Sequence, residues 1–152
     1  MAEQAPTEAD YRYLLALRTE LRRFLRWSEE QAVANGVTPA QHQLMLAIRG
    51  HGETTGPPTI GDLAGYLLLR HNSVVGLVDR AESAGLVRRE RDPFDHRVVR
   101  VRLTPSGARR IEQMSAMHLE ALGRMKQTVR AAREGLQGAA AGEGLARTAA
   151  DG

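Results

Sequence analysis

Residues 59–111 run TIGDLAGYLLLRHNSVVGLVDRAESAGLVRRERDPFDHRVVRVRLTPSGARRI, and the spacing within this stretch decides the fold. Thr59-Ile60-Gly61-Asp62 starts a helix, because a threonine hydroxyl can cap the backbone three residues on while the acid there reaches back. Ile60, Leu63, Ala64 and Leu67 then recur at steps of three and four, one face of a helix. After roughly one turn of linker at Leu69-Arg70, a second helix from His71 to Ala84 carries the inward stripe Val74, Leu77, Val78 and Ala81. Gly85 supplies the left-handed residue that stops it. Two helices of this size with a tight turn between them form a helix-turn-helix pattern.

Beyond Gly85 the period changes from that of a helix to two. Leu86 to Arg91 is a strand, Asp92-Pro93-Phe94-Asp95-His96 a turn, and Val99, Val101 and Leu103 alternate with Val98, Arg100 and Arg102 in a second strand. The pair is a hairpin with a charged tip. Thr104-Pro105-Ser106-Gly107 caps another helix, whose face is Ile111, Met114, His118, Leu122, Met125 and Val129. Gly123 interrupts that stripe, so Leu122 to Val129 either continues the helix or forms a short second one. From Gly135 the sequence turns Ala/Gly-rich, and weak packing or disorder is expected there.

Upstream, Thr7-Glu8-Ala9-Asp10 caps a long amphipathic helix with Leu14, Leu17, Leu21, Phe24, Leu25, Ser28 and Ala32 on one face, ending near Asn35-Gly36. Thr38-Pro39-Ala40-Gln41 opens another helix, with Leu44, Met45 and Ile48 inward and a stop at Gly50-His51-Gly52. The expected fold is mostly α with a small β-hairpin wing: a winged helix-turn-helix flanked by N- and C-terminal helices. The 152 residues are expected to form a single domain.

Composition narrows the function. No cysteine is present, which excludes disulfides, thiolate metal sites and thiol redox chemistry. No run of 18 apolar residues exists and the opening MAEQAPTEAD is polar, so neither a membrane span nor a secretory signal is expected, and a cytoplasmic protein is. The net charge is only +3, but residues 70–102 hold eight of the 21 basic residues against five acids, whereas residues 1–69 are acidic by two. The excess therefore begins at Arg70 and is densest in the hairpin from Arg88 to Arg102, with a further two net positive charges after residue 102. Such a stretch is either a solvated surface or a nucleic-acid footprint.

With these features in register, the chain resembles the MarR (multiple-antibiotic-resistance regulator) family of bacterial transcription factors over roughly residues 10–130. The features that carry the resemblance are the leucine-bearing helix before the turn, the recognition helix ending in AGLV, the Asp-Pro-x-Asp-x-Arg wing and the LTPSG that opens the last helix. The resemblance implies a homodimer built by helices at 8–35 and 105–134 and a DNA-binding region at 38–104, and the Ala/Gly-rich composition makes 135–152 a weakly packed tail that departs from the family. It also implies a double-stranded, pseudo-palindromic DNA operator, and release, usually of a repressor, by a small ligand or stress signal. The missing cysteine excludes thiol oxidation as that signal.

Opposite the apolar stripe of the recognition helix stand Asn72, Ser73, Gly76, Asp79 and Arg80, with Arg70 and His71 in its first turn. Asn can pair with adenine, Arg with guanine and Ser with either base or phosphate. Gly76 costs about 1 kcal/mol against Ala in mid-helix, which calls for either close approach to DNA or tight packing against a neighbour. By resemblance Arg97 is the wing arginine that enters the minor groove, with Asp95 holding its guanidinium. His96 gives the wing a weaker or pH-dependent contact, or is a plain surface histidine. Arg91 belongs to the same wing surface, and Arg88, Arg89, Arg100 and Arg102 are further phosphate candidates, about half of them facing DNA by strand alternation.

Tyr13, Arg18, Trp27 and His42 are the candidates for an effector pocket taking a small aromatic or acidic ligand. His42 and His118, with Glu29 or Glu30, are the one combination to weigh as a metal site, but structural histidines fit better, and neither metal nor cofactor is expected. No catalytic motif is present, so no enzyme is expected. Two other functions remain on the same fold. One is a ligand sensor or protein-interaction module without specific DNA binding, and the other is a sequence-tolerant architectural DNA binder.

Overall fold

The computed structural model describes residues 5–52 and 54–150, with side chains through residue 138. In order along the chain come helices α1 (Glu8–Ala34), α2 (Pro39–Gly50), α3 (Ile60–Leu67) and α4 (His71–Ser83), strands β1 (Val87–Arg91) and β2 (Val99–Leu103), and helix α5 (Pro105–Ala150). This is a winged helix-turn-helix with long flanking helices. The chain divides into two compact units: residues 28–117, and the chain up to Trp27 together with that from His118 onward.

The helix starts follow from local chemistry. Thr7 Oγ1 accepts from the Asp10 N–H at 3.2 Å while Asp10 Oδ2 accepts from the Thr7 N–H at 2.7 Å. Thr38 with Gln41 and Thr59 with Asp62 close the same reciprocal box on α2 and α3. The box holds the Asp62 carboxyl below its ordinary range, chiefly through the Thr59 N–H. Between α3 and α4 the turn is made by Leu68, left-handed at φ 53 and 90% exposed. The expected linker at Leu69-Arg70 thus begins one residue earlier.

In the unit of residues 28–117, one core gathers Leu44, Met45 and Ile48 from α2, Leu63 from α3, and Val74, Leu77, Val78 and Ala81 from α4. Val87 and Val101 of the hairpin and Ile111 and Met114 of α5 complete it. β1 and β2 pair antiparallel, with Arg88 opposite Arg102 and Glu90 opposite Arg100. The sheet gains a third edge at Thr59, which bridges to Arg100, and the Val101 N–H donates to Pro58 O at 2.9 Å.

The start of α5 is fastened to the end of α4. Thr104 Oγ1 donates to Gly85 O at 2.6 Å and accepts from the Gly107 N–H at 3.0 Å. A Cβ on Gly107 would lie 2.0 Å from Leu86 O, so only glycine fits there.

In the other unit, the rings of Phe24, Trp27 and His118 form a cluster, Trp27 and His118 centroids 4.9 Å apart. The Arg133 guanidinium lies 5.8 Å from the centre of the Tyr13 ring. α5 passes Gly123 without a break, so Leu122 to Val129 continues the helix. It remains helical to Ala150, while the side chains from residue 139 and residues 151–152 of the expected tail lie outside the described residues. Of the apolar face read on α1, only Ser28 and Ala32 are buried, and Leu14, Leu21 and Leu25 are exposed.

Candidate nucleic-acid interface

α4 buries Val74, Leu77, Val78 and Ala81 and leaves Arg70, His71, Asn72, Ser73, Asp79 and Arg80 exposed. The helix period places Asn72, Ser73, Asp79 and Arg80 away from the apolar stripe, and Arg70 and His71 are exposed because they stand at the helix start. Unlike α1, α2 and α3, α4 starts without a side-chain cap: Arg70 stands at its N-cap and forms no capping bond. Its His71 and Asn72 N–H groups thus have no side-chain cap, while the Ser73 N–H donates to Arg70 O at 3.0 Å. That feature was legible as the missing Ser, Thr, Asp or Asn before His71. Val75 is half-buried against the core.

At Gly76 the close neighbour of a Cβ would be Arg80 Nη1, at 3.3 Å. The Arg80 guanidinium therefore lies back over Gly76 along the outer face, one turn toward the start of α4. A side chain at residue 76 would have to displace that arginine. The tight packing considered for Gly76 is thus against a flexible arginine tip.

The wing turn is built around Asp92. Its Oδ1 accepts from the N–H groups of Phe94 and Asp95 at 2.8 and 2.9 Å, and its Oδ2 accepts from Arg100 Nε at 2.6 Å. Arg100 Nη1 in turn donates to Pro57 O at 2.6 Å. Arg100 and these two N–H groups lower the Asp92 carboxyl to about 2. On this frame, Asp95 Oδ1 accepts from Arg97 Nε at 3.1 Å and from the Arg97 N–H at 3.1 Å, and Oδ2 from Nη2 at 3.3 Å. The Arg97 fork also holds the Asp95 carboxyl below its usual range. Asp95 orients Arg97 while 91% of that side chain stays exposed.

The hairpin arginines separate by partner. Arg89 binds Asp79 and Glu82, Arg100 binds Asp92, and Arg102 binds Glu90. Arg88 and Arg91 are exposed and pair with no acid among the described residues. His96 is exposed. Phe94 carries a signal that composition does not give: at the tip of the wing its ring is 96% exposed. A turn pattern predicts the loop but not which side chain projects from it.

The effector candidates do not all fall in one unit. Tyr13, Arg18 and Trp27 belong to the unit that includes the far part of α5, and His42 is buried on α2 in the other. Tyr13 and Trp27 already pack against Arg133 and against Phe24 and His118, while Arg18 is exposed. Among the described residues no three His, Asp or Glu side chains gather to hold a metal ion. No helix there is long and apolar enough to cross a membrane.

Residues 35–98 match the MarR family model. That match covers less than half of the chain. A MarR-family protein from Bacillus stearothermophilus is 29% identical with a TM-score of 0.64, covering 79% of this chain and 81% of that one. A Cys-to-Ser mutant of MarR from E. coli, solved in complex with operator DNA, is 26% identical with a TM-score of 0.59, covering 74% and 76%. YsmB of Bacillus subtilis (strain 168), an HTH-type transcriptional regulator, is 40% identical over 67 residues, which span 44% of this chain and 46% of YsmB. The match thus spans less than half the length of that curated relative. The relatives are transcriptional regulators rather than enzymes.

Proposed function

We propose that this protein is a MarR-family, cytoplasmic, sequence-specific DNA-binding transcriptional regulator. In this reading it is a homodimeric repressor that a small ligand releases from a pseudo-palindromic operator. The observation that carries the proposal is the Asp95–Arg97 arrangement. An arginine held in orientation by a carboxylate, yet almost wholly exposed, is poised for a partner outside the chain. A narrow A·T-rich minor groove concentrates negative potential and suits such a group.

In this reading Arg70, His71, Asn72, Ser73, Gly76 and Arg80 meet the major groove, with the uncapped first turn of α4 on a phosphate. Arg91, Asp95, His96 and Arg97 form the wing contact, and residues 38–104 are the DNA-binding region. The likeness to a regulator solved with operator DNA supports this assignment. Helices at 8–35 and 105–134 pair two copies, a role supported by the uncovered Leu14, Leu15 and Leu25 of α1 and Leu119 of α5. Tyr13, Arg18 and Trp27 remain proposed effector residues for an aromatic or acidic ligand within their own unit, and His42 is a separate candidate in the other.

The test is a titration of the full chain against duplexes selected from random-sequence DNA, at several salt concentrations. Affinity should fall steeply with salt, and selected sequences should bind at least about a thousandfold better than unselected ones. Equal affinity for all sequences would mark an architectural binder, and no binding at low salt a sensor without DNA.

A further inference from the structure

Arg89 differs from the other hairpin arginines in reaching across to α4. Its Nη2 donates to Asp79 Oδ1 at 2.6 Å and to Val75 O at 3.3 Å, and its Nη1 donates to Glu82 Oε1 at 3.1 Å. The Arg89 backbone N–H donates to the other oxygen, Glu82 Oε2, at 2.8 Å. One residue of β1 thus grips two carboxylates and a carbonyl spread over two turns of α4. The guanidinium fork makes this possible, since a lysine ammonium is a single point charge and cannot span the three acceptors.

The carboxylates it grips stand in an awkward place. Asp79 follows Asn72 by seven residues and Gly76 by three, so it lies on the outward polar face of α4. Its side chain is 62% exposed. A bare carboxylate there would face the same phosphates that Arg70 and Arg80 attract. Coulomb repulsion across the few ångströms of a docked interface is only partly screened at ordinary salt.

We propose that Arg89 is a positioning residue of the DNA interface: it offsets part of the negative charge of Asp79 and Glu82 and locks α4 to the wing strand. The outward face of α4 and the wing then meet DNA at a set relative angle. This rests on the DNA-binding reading above and adds a residue that touches no DNA itself. Strand alternation alone made Arg89 a phosphate candidate; its three acceptors on α4 give it this other task.

The experiment compares the full-length wild type with Arg89→Ala, Arg89→Lys, Asp79→Asn and the double variant Arg89→Ala/Asp79→Asn. Binding to one selected duplex is measured alongside thermal melting. Arg89→Ala should weaken binding by about tenfold or more, and Arg89→Lys by an intermediate factor. Asp79→Asn alone should stay within about threefold of wild type, and the double variant should recover part of the Arg89→Ala loss, the share that comes from the bared Asp79 charge. Full affinity in Arg89→Ala overturns the proposal. So does a loss that Asp79→Asn leaves unrelieved, since a packing role would not respond to the charge of residue 79. If Arg89→Ala does not fold, Arg89→Lys paired with Asp79→Asn poses the same question. Failure of the wild type to bind any selected duplex sinks the DNA-binding reading instead, and is seen before any variant is made.

Discussion

Arg100 Nε donates to Asp92 Oδ2 at 2.6 Å, and the same guanidinium donates to Pro57 O, 43 residues earlier in the chain. One side chain therefore closes the base of the wing and ties it to the segment before α3. Asp92 is only 7% exposed. Its free oxygen accepts the two N–H groups that shape the turn. Arg100→Ala should strip hydrogen-exchange protection from the amides of Phe94 and Asp95 while those of α2 keep theirs. Unchanged exchange at the two wing amides would show that the turn stands without Arg100.

The same pair makes stability depend on acid. The Asp92 carboxyl sits at about 2 in the folded chain against an ordinary 3.8. Because the folded value is the lower one, the stabilisation is complete above about pH 4 and is lost as pH falls toward 2. Urea midpoints measured at about pH 6 and pH 3 should drop further for the wild type than for Asp92→Asn. Equal drops would place the acid sensitivity elsewhere.

Gly107 and Gly123, both on α5, should respond in opposite ways to alanine. At Gly107 the new Cβ meets the Leu86 carbonyl at 2.0 Å, backbone that cannot step aside. The expected cost is about 1–3 kcal/mol or more. At Gly123 nothing lies within 4 Å. There the better helix propensity of alanine should add up to about 1 kcal/mol. Thermal melts of the two variants with the same sign would contradict this.

Leu68 occupies a left-handed conformation that suits glycine, and with 90% of its surface exposed it has little burial to lose. Leu68→Gly should raise stability by about 0.5–1 kcal/mol, as relief of the strain exceeds the added freedom of the unfolded chain. A lower urea midpoint would show that the leucine contributes more than its exposure suggests.

Arg97→Ala should leave the melting temperature unchanged, because an exposed ion pair contributes little to folding. It should weaken DNA binding and lower the salt slope by about one. Retained affinity would remove the wing from the interface. In the same titration, Leu25→Glu should shift the chain toward monomer in light scattering, since a charge replaces an exposed apolar residue on the helix proposed to pair two copies.

Most of the fold was legible because its causes are local. Three reciprocal caps, at Thr7, Thr38 and Thr59, are spelled out in four-residue windows. The stripe Val74, Leu77, Val78 and Ala81 is buried as its spacing requires. The pairing of Asp95 with Arg97 was legible for the same reason, as the two stand two residues apart in a turn. The exposed leucines of α1 show where such reading stops. An apolar face says that something should cover it, but burial depends on what packs there.

By itself, then, the chain determined its helices, its hairpin, the outward polar face of α4 and the cationic character of the wing, since caps, periods and charge act over a few residues. Only the tertiary structure decided the fate of each arginine. Alternation offers two faces, but whether an arginine is left for a partner depends on acids brought near by other elements. Arg89 finds Asp79 and Glu82 on α4, Arg100 reaches Asp92 and Pro57, and Arg88 and Arg91 keep to the solvent. An ion pair falls off with distance in space, and distance along the chain does not fix it.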